Sequence, residues 1–224
     1  MATSTSIGTT TALRRPVRLA ILLSGGGSTL QNFIDRIAGG RLAAEIVVVV
    51  ASRADVGGLQ RARQAGIPAV VVARTQFADV ERFNDALHAE LRQYTFDLIL
   101  LAGFLSPFQL RGLYAGRVLN IHPALIPAFC GKGFYGERVH RAVLESGTRV
   151  SGCTVHFADD QYDHGPIVLQ GVVPVLDDDT PVTLAARVHT LENELYPQAV
   201  QLWAEGRLQV VGQRVRIRDA TSAS

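Results

Sequence analysis

The sequence contains few of the residues that stabilise secreted scaffolds or span membranes. Among its 224 residues there are two cysteines, one methionine and one tryptophan, and two cysteines are too few for a disulfide framework or a zinc knuckle. No apolar run approaches the roughly 20 residues needed to cross a bilayer. The 22 basic and 20 acidic residues nearly balance and form no long basic run, so the charge gives no indication of a nucleic-acid partner. These absences favour a reducing compartment, and we expect a cytoplasmic protein.

The apolar content is sufficient for one domain with a sizeable core. Hydrophobic residues make up 47% of the chain, which is typical of a single globular α/β domain of this length. Residues 1–16 are rich in Ser and Thr and contain no acid. We interpret them as a disordered tail, with an organelle transit peptide as the alternative. Residues 218–224 are interpreted as a second disordered tail, which leaves one domain at 17–217.

Apolar runs and amphipathic segments alternate along this predicted domain. Strands are predicted at 17–24, 43–52, 67–73, 96–104 and 115–123, and helices at 28–38, 57–66, 78–94 and 137–147. This alternation predicts an α/β fold with a doubly wound, mostly parallel sheet. Segments 150–159 and 165–175 are expected to pair antiparallel, before a long helix at about 181–205 and a hairpin at 208–217. Together they predict a C-terminal antiparallel extension.

A glycine-rich turn, SGGGSTL, lies between the first predicted strand and the first predicted helix. Ser28 within it is a good residue to cap that helix. Glycines let backbone amides approach an anion, and a helix N-terminus adds partial positive charge. The turn has neither the GxGxxG dinucleotide fingerprint nor the Gly-Lys-Ser/Thr ending of a Walker loop. A monophosphate site is the favoured interpretation, and a tight turn without a ligand is the alternative.

The sequence NIHP ends the fifth predicted strand. Because side chains alternate along a strand, Asn120 and His122 point to the same side. His122 is a candidate for acid–base chemistry, since its ordinary pKa lies near neutrality, and a packed or exposed bystander is the alternative. A later turn offers three possible carboxylate partners, Asp159, Asp160 and Asp163, and their spacing does not distinguish among them.

Several segments together resemble one enzyme family. They are SGGGSTL, ADVGGLQRARQAGIP, LAGF, NIHPALIP, VSGCTVHFADDQYDHGPIVLQ and ARVHTLENELYP. Over residues 17–208 the chain is similar to the phosphoribosylglycinamide formyltransferases, the folate-dependent transformylases of purine synthesis. The resemblance implies a Rossmann-like formyltransferase fold and formyl transfer from 10-formyltetrahydrofolate to the amine of glycinamide ribonucleotide. It maps the catalytic triad onto Asn120, His122 and Asp163, with a cationic His122 and the Asn120 amide stabilising the oxyanion.

The same resemblance implies the binding residues. The substrate phosphate and ribose would be bound by Gly26, Gly27, Ser28, Thr29, His189 and Glu192, although a packing role for His189 is an equal alternative. Folate would be bound by Leu101, Gly103, Phe104, Leu105, Asp159 and Asp160, together with Asn120 and Asp163. His156 falls in the family's buried network, which implies a supporting role. The partners would be small molecules rather than nucleic acid or membrane, and no metal ion would be needed.

Two segments depart from the family pattern and leave alternatives open. The segment AGFLSP, at 102–107, is two residues shorter than in many members. The resemblance therefore does not identify which backbone groups in it contact the pterin. The loop at 128–136 is longer than in the shorter-looped members, and its Lys132 could reach a phosphate, a folate glutamate tail or only solvent. Alternative functions are formyltetrahydrofolate hydrolysis and non-catalytic nucleotide binding on the same fold. A monomer and a homodimer are both compatible with the sequence.

Overall fold

The computed structural model of the chain describes residues 11–13 and 15–219. The chain forms two compact units, one comprising Arg14–Leu119 and the other built mainly from Asn120–Ser224. The disordered tails predicted at 1–16 and 218–224 lie largely outside the described residues, and they stay predictions together with the single domain at 17–217. No described helix has both the length and the apolar composition needed to cross a membrane.

The described part of the first unit contains four parallel strands and three α-helices. The strands are β1 (Val17–Leu23), β2 (Ala44–Ala51), β3 (Ala69–Val71) and β4 (Leu98–Leu101), and the helices are α1 (Ser28–Ala38), α2 (Gly57–Gln64) and α3 (Val80–Leu91). The strand order is β3-β2-β1-β4, and the pairs β1–β2, β1–β4 and β2–β3 are all parallel. Every residue of β1 except Arg18 is buried. This explains the continuous apolar run, because a central parallel strand is covered on both faces.

The second unit carries the antiparallel part of the fold. Strand β5 (Val118–His122) leads into it, followed by α4 (Glu137–Glu145), β6 (Val150–Phe157), β7 (Ile167–Pro174), α5 (Pro181–Ala204), β8 (Leu208–Val211) and β9 (Arg214–Ile217). The strand order is β5-β6-β7-β9-β8, and both β6–β7 and β8–β9 are antiparallel. The predicted α/β fold, with its parallel strands and C-terminal antiparallel extension, is confirmed.

Helix α5 is fixed at its start and along its length. The Thr180 hydroxyl accepts a hydrogen bond from the Thr183 N–H at 3.2 Å, which completes a capping box ahead of Pro181. On β7, a Cβ atom at Gly171 would lie 2.6 Å from Leu195 Cδ1. The helix therefore packs directly on the strand, and its side chains are held at fixed positions.

The bounds of α1 are as predicted, but its N-cap residue is not. Gly27, not Ser28, is the N-cap residue, and Ser28 is already the first helical residue. Gly27 has φ 75° and ψ 31°, a left-handed conformation with no side-chain cap. A side chain at this position would also meet the neighbouring backbone, because a Cβ would lie 2.6 Å from the Gly58 Cα. The chain needs glycine here for both reasons, and this need outweighs the capping preference of serine. The structure also contains a short 3-10 helix at Arg74–Gln76 that was not predicted from the sequence.

Substituting Gly27 should destabilise the fold more than substituting a glycine with similar backbone angles and open surroundings. Gly40 has φ 67° and would place a Cβ in open space. We expect Gly40→Ala to cost about 1 kcal/mol in free energy of unfolding through backbone strain alone. Gly27→Ala should cost roughly 2–4 kcal/mol, because steric overlap adds to the strain. Urea unfolding of both variants measures the difference, and equal losses would show that the Gly58 contact is unimportant.

Candidate active site

Strand β5 and the turn after β6 bring the three predicted catalytic side chains together in the second unit. The His122 Nδ1 atom lies 3.5 Å from Asp163 Oδ2, and the Asn120 Nδ2 atom lies 3.4 Å from Asp163 Oδ1. Because Asn120 and His122 are two residues apart on one strand, both side chains reach the same carboxylate. Of the three acids that the sequence left open, Asp163 is the one with contacts to both.

The Asp163 carboxylate is held by backbone and side-chain groups. Its Oδ2 atom accepts a hydrogen bond from the Gly131 N–H at 2.8 Å, and its own φ of 52° lies in the left-handed region. Burial alone would raise the pKa of Asp163. The interactions with His156, His122 and the Gly131 N–H outweigh burial and lower that pKa. The carboxylate is therefore ionised at neutral pH and can accept a proton.

The imidazole of His122 is buried and bonded to the loop that follows β5. Its Nε2 atom lies 2.9 Å from the Phe129 carbonyl oxygen. A carbonyl oxygen can only accept, so Nε2 carries a proton and the neutral ring presents an unprotonated Nδ1 to Asp163. Burial lowers the pKa of His122, and the opposing charge of Asp163 does not reverse the shift. With the ring only 4% exposed, this shift favours the neutral form in the absence of substrate. The cationic His122 that the resemblance implies for the reaction stays a prediction.

The Asn120 amide has a second partner in the cluster. Its Nδ2 atom lies 3.0 Å from His156 Nε2. His156 is buried on β6, and its other ring nitrogen, Nδ1, lies 3.0 Å from the Phe157 carbonyl oxygen. The supporting role implied for His156 thus corresponds to a direct contact with a predicted catalytic residue.

Two backbone groups of the 129–131 loop also contact the predicted catalytic side chains, and the sequence did not indicate them. They are the Phe129 carbonyl on His122 and the Gly131 N–H on Asp163. Phe129 has φ 51°, a left-handed conformation that is uncommon for a bulky residue. Strained backbone of this kind persists where the surrounding structure holds it, often at functional sites. Every residue has these backbone groups, so no sequence pattern could have marked them.

The other two acids of the turn have different surroundings. Asp159 accepts a hydrogen bond from the Gln161 N–H at 2.9 Å, and its Oδ2 atom lies 2.7 Å from His164 Nδ1. Asp160 is exposed. Asp159 therefore shapes the turn that presents Asp163, and folate binding by Asp159 and Asp160 stays a prediction.

Helix α5 carries the two predicted nucleotide-binding side chains of this unit. The amide nitrogen of Asn193 lies 3.2 Å from His189 Nδ1, and burial lowers the pKa of His189. Glu192 keeps some accessible surface, yet burial by the surrounding protein raises its pKa to about 7. A carboxyl group with these properties can be neutral or charged near physiological pH.

In the first unit, the predicted phosphate loop is open toward solvent. Added Cβ atoms at Gly25 and Gly26 would meet nothing within 4 Å, and the loop leads into the N-terminus of α1, where Ser28 and Thr29 lie. Arg61 on α2, which sequence reasoning missed, donates from Nε to the Gly26 carbonyl at 3.0 Å. The loop thus has exposed backbone, a helix N-terminus and a neighbouring guanidinium, all suited to an anion.

The predicted folate-binding segment after β4 is joined to the glycine loop by Ser24. The Ser24 N–H donates to the Gly103 carbonyl at 3.0 Å, and the Ser24 hydroxyl accepts from the Leu105 N–H at 2.9 Å. Leu105 is 53% exposed, while Phe104 stacks on Phe83. The structure therefore links these two predicted binding segments within one unit. Leu101 ends β4 beside them.

The 128–136 loop also contains a thiol, Cys130, and an amine, Lys132. Burial, followed by the charge of Asp163, raises the pKa of the Cys130 thiol, which is the opposite of what a thiolate nucleophile needs. Lys132 is exposed, and its role stays a prediction. Across residues 11–13 and 15–219, no His, Cys, Asp and Glu side chains are grouped as a metal site requires.

Comparison with known proteins identifies the class. A family model described as formyl transferase matches residues 17–200, and the chain belongs to this family. It is 42% identical over 197 residues to the phosphoribosylglycinamide formyltransferase, chloroplastic, of Arabidopsis thaliana, covering 87% of this chain and 68% of that protein. It is 39% identical over 197 residues to the phosphoribosylglycinamide formyltransferase of Escherichia coli (strain K12), covering 87% of this chain and 90% of that protein.

A solved structure agrees with this assignment. The crystal structure of glycinamide ribonucleotide transformylase 1 from Symbiobacterium toebii superimposes with a TM-score of 0.86 at 41% identity. The match covers 92% of this chain and 96% of that one. The fold and family predicted from the sequence are therefore confirmed.

Proposed function

We propose that this chain transfers the formyl group of 10-formyltetrahydrofolate to the amine of 5'-phosphoribosylglycinamide, in the synthesis of purines. The observation that carries this proposal is the convergence of the Asn120 amide, the His122 imidazole and the Asp163 carboxylate. It occurs in a chain 39–42% identical to relatives named for this activity. An amide donor, an imidazole and an ionised carboxylate are together suited to acyl transfer to an amine.

In the first step, the substrate amine attacks the formyl carbon and the carbonyl electrons move to the formyl oxygen. Nδ2 of Asn120 and Nε2 of His122 are the donors available to stabilise this oxyanion. One preorganised donor of this kind typically lowers the barrier by about 2.7–4 kcal/mol. Because His122 Nε2 is bonded to the Phe129 carbonyl at 2.9 Å, the formyl oxygen must replace that carbonyl as its acceptor.

The amine must lose a proton as the new bond forms. A neutral His122 facing an ionised Asp163 is a pair that lacks one proton, with 3.5 Å between the two facing atoms. The pair takes up the amine proton, directly or through a water molecule. When the bond from the formyl carbon to N10 of the folate breaks, N10 receives that proton. The products are the N-formyl nucleotide and tetrahydrofolate, and the pair returns to its starting state.

Binding of the two substrates follows from the same proposal. Backbone amides of Gly26 and Gly27, with Ser28 and Thr29 at the α1 N-terminus, would hold the substrate phosphate. His189 and Glu192 would contact the ribose or amine side of the nucleotide. The pterin would be bound by Leu101, Gly103, Phe104, Leu105 and the 159–163 turn, so that 10-formyltetrahydrofolate acts as a co-substrate.

The function is tested with folate carrying a ¹³C-labelled formyl group. The purified chain is incubated with this folate, with and without glycinamide ribonucleotide, and the label is followed by NMR. We expect the label to appear in the formylated nucleotide and only when the nucleotide is present. Formate released equally in both samples would mean hydrolysis, and no turnover with either would mean a non-catalytic protein.

Glu192 should make stability depend on pH. Its folded pKa of about 7 exceeds the ordinary value of 4.5, so between these values the folded state binds more protons and stability falls as pH rises. Glu192→Gln removes this penalty, and we expect it to raise the free energy of unfolding at pH 8 by roughly 1–3 kcal/mol. At pH 4.5 the gain should be much smaller. Glu194→Gln on the exposed side of the same helix is the control in urea unfolding, and equal gains at both pH values would contradict the expectation.

We also propose that the chain works in the cytoplasm with small molecules as its partners. The balanced charge and the two free cysteines support this location. The Arabidopsis relative is named chloroplastic, so location varies within the family. Fractionation of the source cells tests the location, and size-exclusion chromatography distinguishes the monomer from the homodimer.

A further inference from the structure

The two ring nitrogens of His156 face different kinds of partner. Nδ1 lies 3.0 Å from the Phe157 carbonyl oxygen, which can only accept a hydrogen bond, so Nδ1 carries the proton. In the neutral ring, Nε2 is then an unprotonated acceptor. This nitrogen lies 3.0 Å from Asn120 Nδ2, which is a donor of two hydrogens.

The same nitrogen of Asn120 faces a second acceptor. Asp163 Oδ1 lies 3.4 Å from Asn120 Nδ2, and an ionised carboxylate only accepts. If the amide were turned over, its oxygen would face both the unprotonated nitrogen of His156 and the negative charge of Asp163. Two acceptors therefore hold the amide in one orientation, with its nitrogen on the side of Asp163.

The pairing of strands β6 and β7 is irregular beside His156, where β7 contains one more residue than β6. The pairing of β6 with β7 shifts register between Val155 and His156, where Val155 pairs with Leu169 and His156 pairs with Ile167. Such irregularities redirect side chains, often beside active sites. The side chain of His156 is 2% exposed, so its ring is held by packing as well as by the Phe157 carbonyl.

We propose, on the basis of the function proposed above, that His156 is a positioning residue that orients the Asn120 amide for catalysis. One hydrogen of Asn120 Nδ2 is bound by His156. The other, held only by the longer contact to Asp163, is the one that turns to the formyl oxygen as charge develops. Without His156 the amide can rotate and present its oxygen to the oxyanion. The two electron-rich oxygens would then repel each other.

The first test compares two substitutions that differ only in whether an acceptor remains. His156→Gln offers an amide oxygen in place of Nε2, whereas His156→Leu offers no acceptor at similar volume. We expect His156→Leu to lower kcat by about 10²-fold, as for loss of one oriented donor, with KM changed by less than about 3-fold. The kcat of His156→Gln should be at least about 10-fold higher than that of His156→Leu. Equal losses in both variants would mean that His156 only fills space.

The second test asks whether His156 acts through Asn120. In an Asn120→Ala background, adding His156→Leu should cost less than about 3-fold in kcat, because residues that act as a unit are not additive. A full additional loss would overturn the proposal. His88→Leu is the control, since His88 is also buried and bonded to a carbonyl, that of Gln109 at 2.8 Å. It should lower the melting temperature while leaving kcat within about 3-fold of wild type.

The third test reads the ring directly. ¹⁵N NMR of histidine-labelled protein should show that the neutral ring of His156 carries its proton on Nδ1, whatever the activity of the chain. A proton on Nε2 would overturn the orientation argued for Asn120. If the wild-type chain instead transfers no formyl group while His156 shows the expected tautomer, the proposed function fails and the orientation of the amide does not.

Discussion

Replacing Asp163 with asparagine is expected to lower kcat for formyl transfer by about 10³-fold, within the usual range for loss of a general base. Asparagine tolerates the left-handed backbone region, so φ 52° at this position is not a source of strain. Its amide has nearly the same size but lacks the charge. The variant can neither complete the proton-accepting pair with His122 nor take the amine proton itself. Steady-state kinetics with both substrates measures the loss, and KM for the nucleotide should change little.

The control for this variant is another acid in the same unit. Asp177 is exposed and pairs with Arg149 at 2.6 Å, and such surface ion pairs contribute little. We expect Asp177→Asn to keep kcat within about 2-fold of wild type and to leave stability unchanged within about 0.5 kcal/mol. If Asp163→Asn were as active as Asp177→Asn, Asp163 would have no part in the proton transfer.

The substitution with the second largest expected effect is His122→Ala. It removes a donor to the oxyanion and half of the proton-accepting pair, and we expect kcat to fall by about 10²–10³-fold. Because His122 and Asp163 act on the same proton, the loss of kcat in the double variant should be clearly smaller than the product of the two single losses. Pre-steady-state mixing should show that the loss lies in the chemical step and not in nucleotide binding.

Folding has to be separated from catalysis for His122→Ala, because the ring is buried. Far-UV circular dichroism and urea unfolding provide this control. We expect the cavity left by the ring to lower the free energy of unfolding by roughly 2–3 kcal/mol, with native secondary structure retained at room temperature. Losses that add in the double variant would show that the two residues act in separate steps.

The secondary structure was predictable because its signals are local. The buried parallel strand β1 is a continuous apolar run, and the pair β6–β7 was expected to be antiparallel. The bounds of α1 were predicted correctly but its N-cap was wrong by one residue, since Gly27 adopts the left-handed conformation that allows the close approach of Gly58. That requirement comes from a contact between residues distant in sequence, which a local capping rule does not consider.

The candidate site was predictable only in part, for a similar reason. The alternation of a strand placed Asn120 and His122 on one side, but Asp163 was separated from Asp159 and Asp160 by family resemblance and not by spacing. The Phe129 carbonyl and the Gly131 N–H carry no side-chain signal. The burial that lowers the pKa of His122 likewise depends on the folded loop around the ring, which no local pattern indicates.

The central claim is that the formyl group reacts between Asn120, His122 and Asp163. A crystal structure of the chain with glycinamide ribonucleotide and a non-reactive 10-formyl folate analogue tests this claim most directly. We predict the formyl oxygen within about 3.2 Å of both Asn120 Nδ2 and His122 Nε2, with the Phe129 carbonyl displaced from the imidazole. A formyl group bound elsewhere, with the Phe129 carbonyl still on His122, would contradict it.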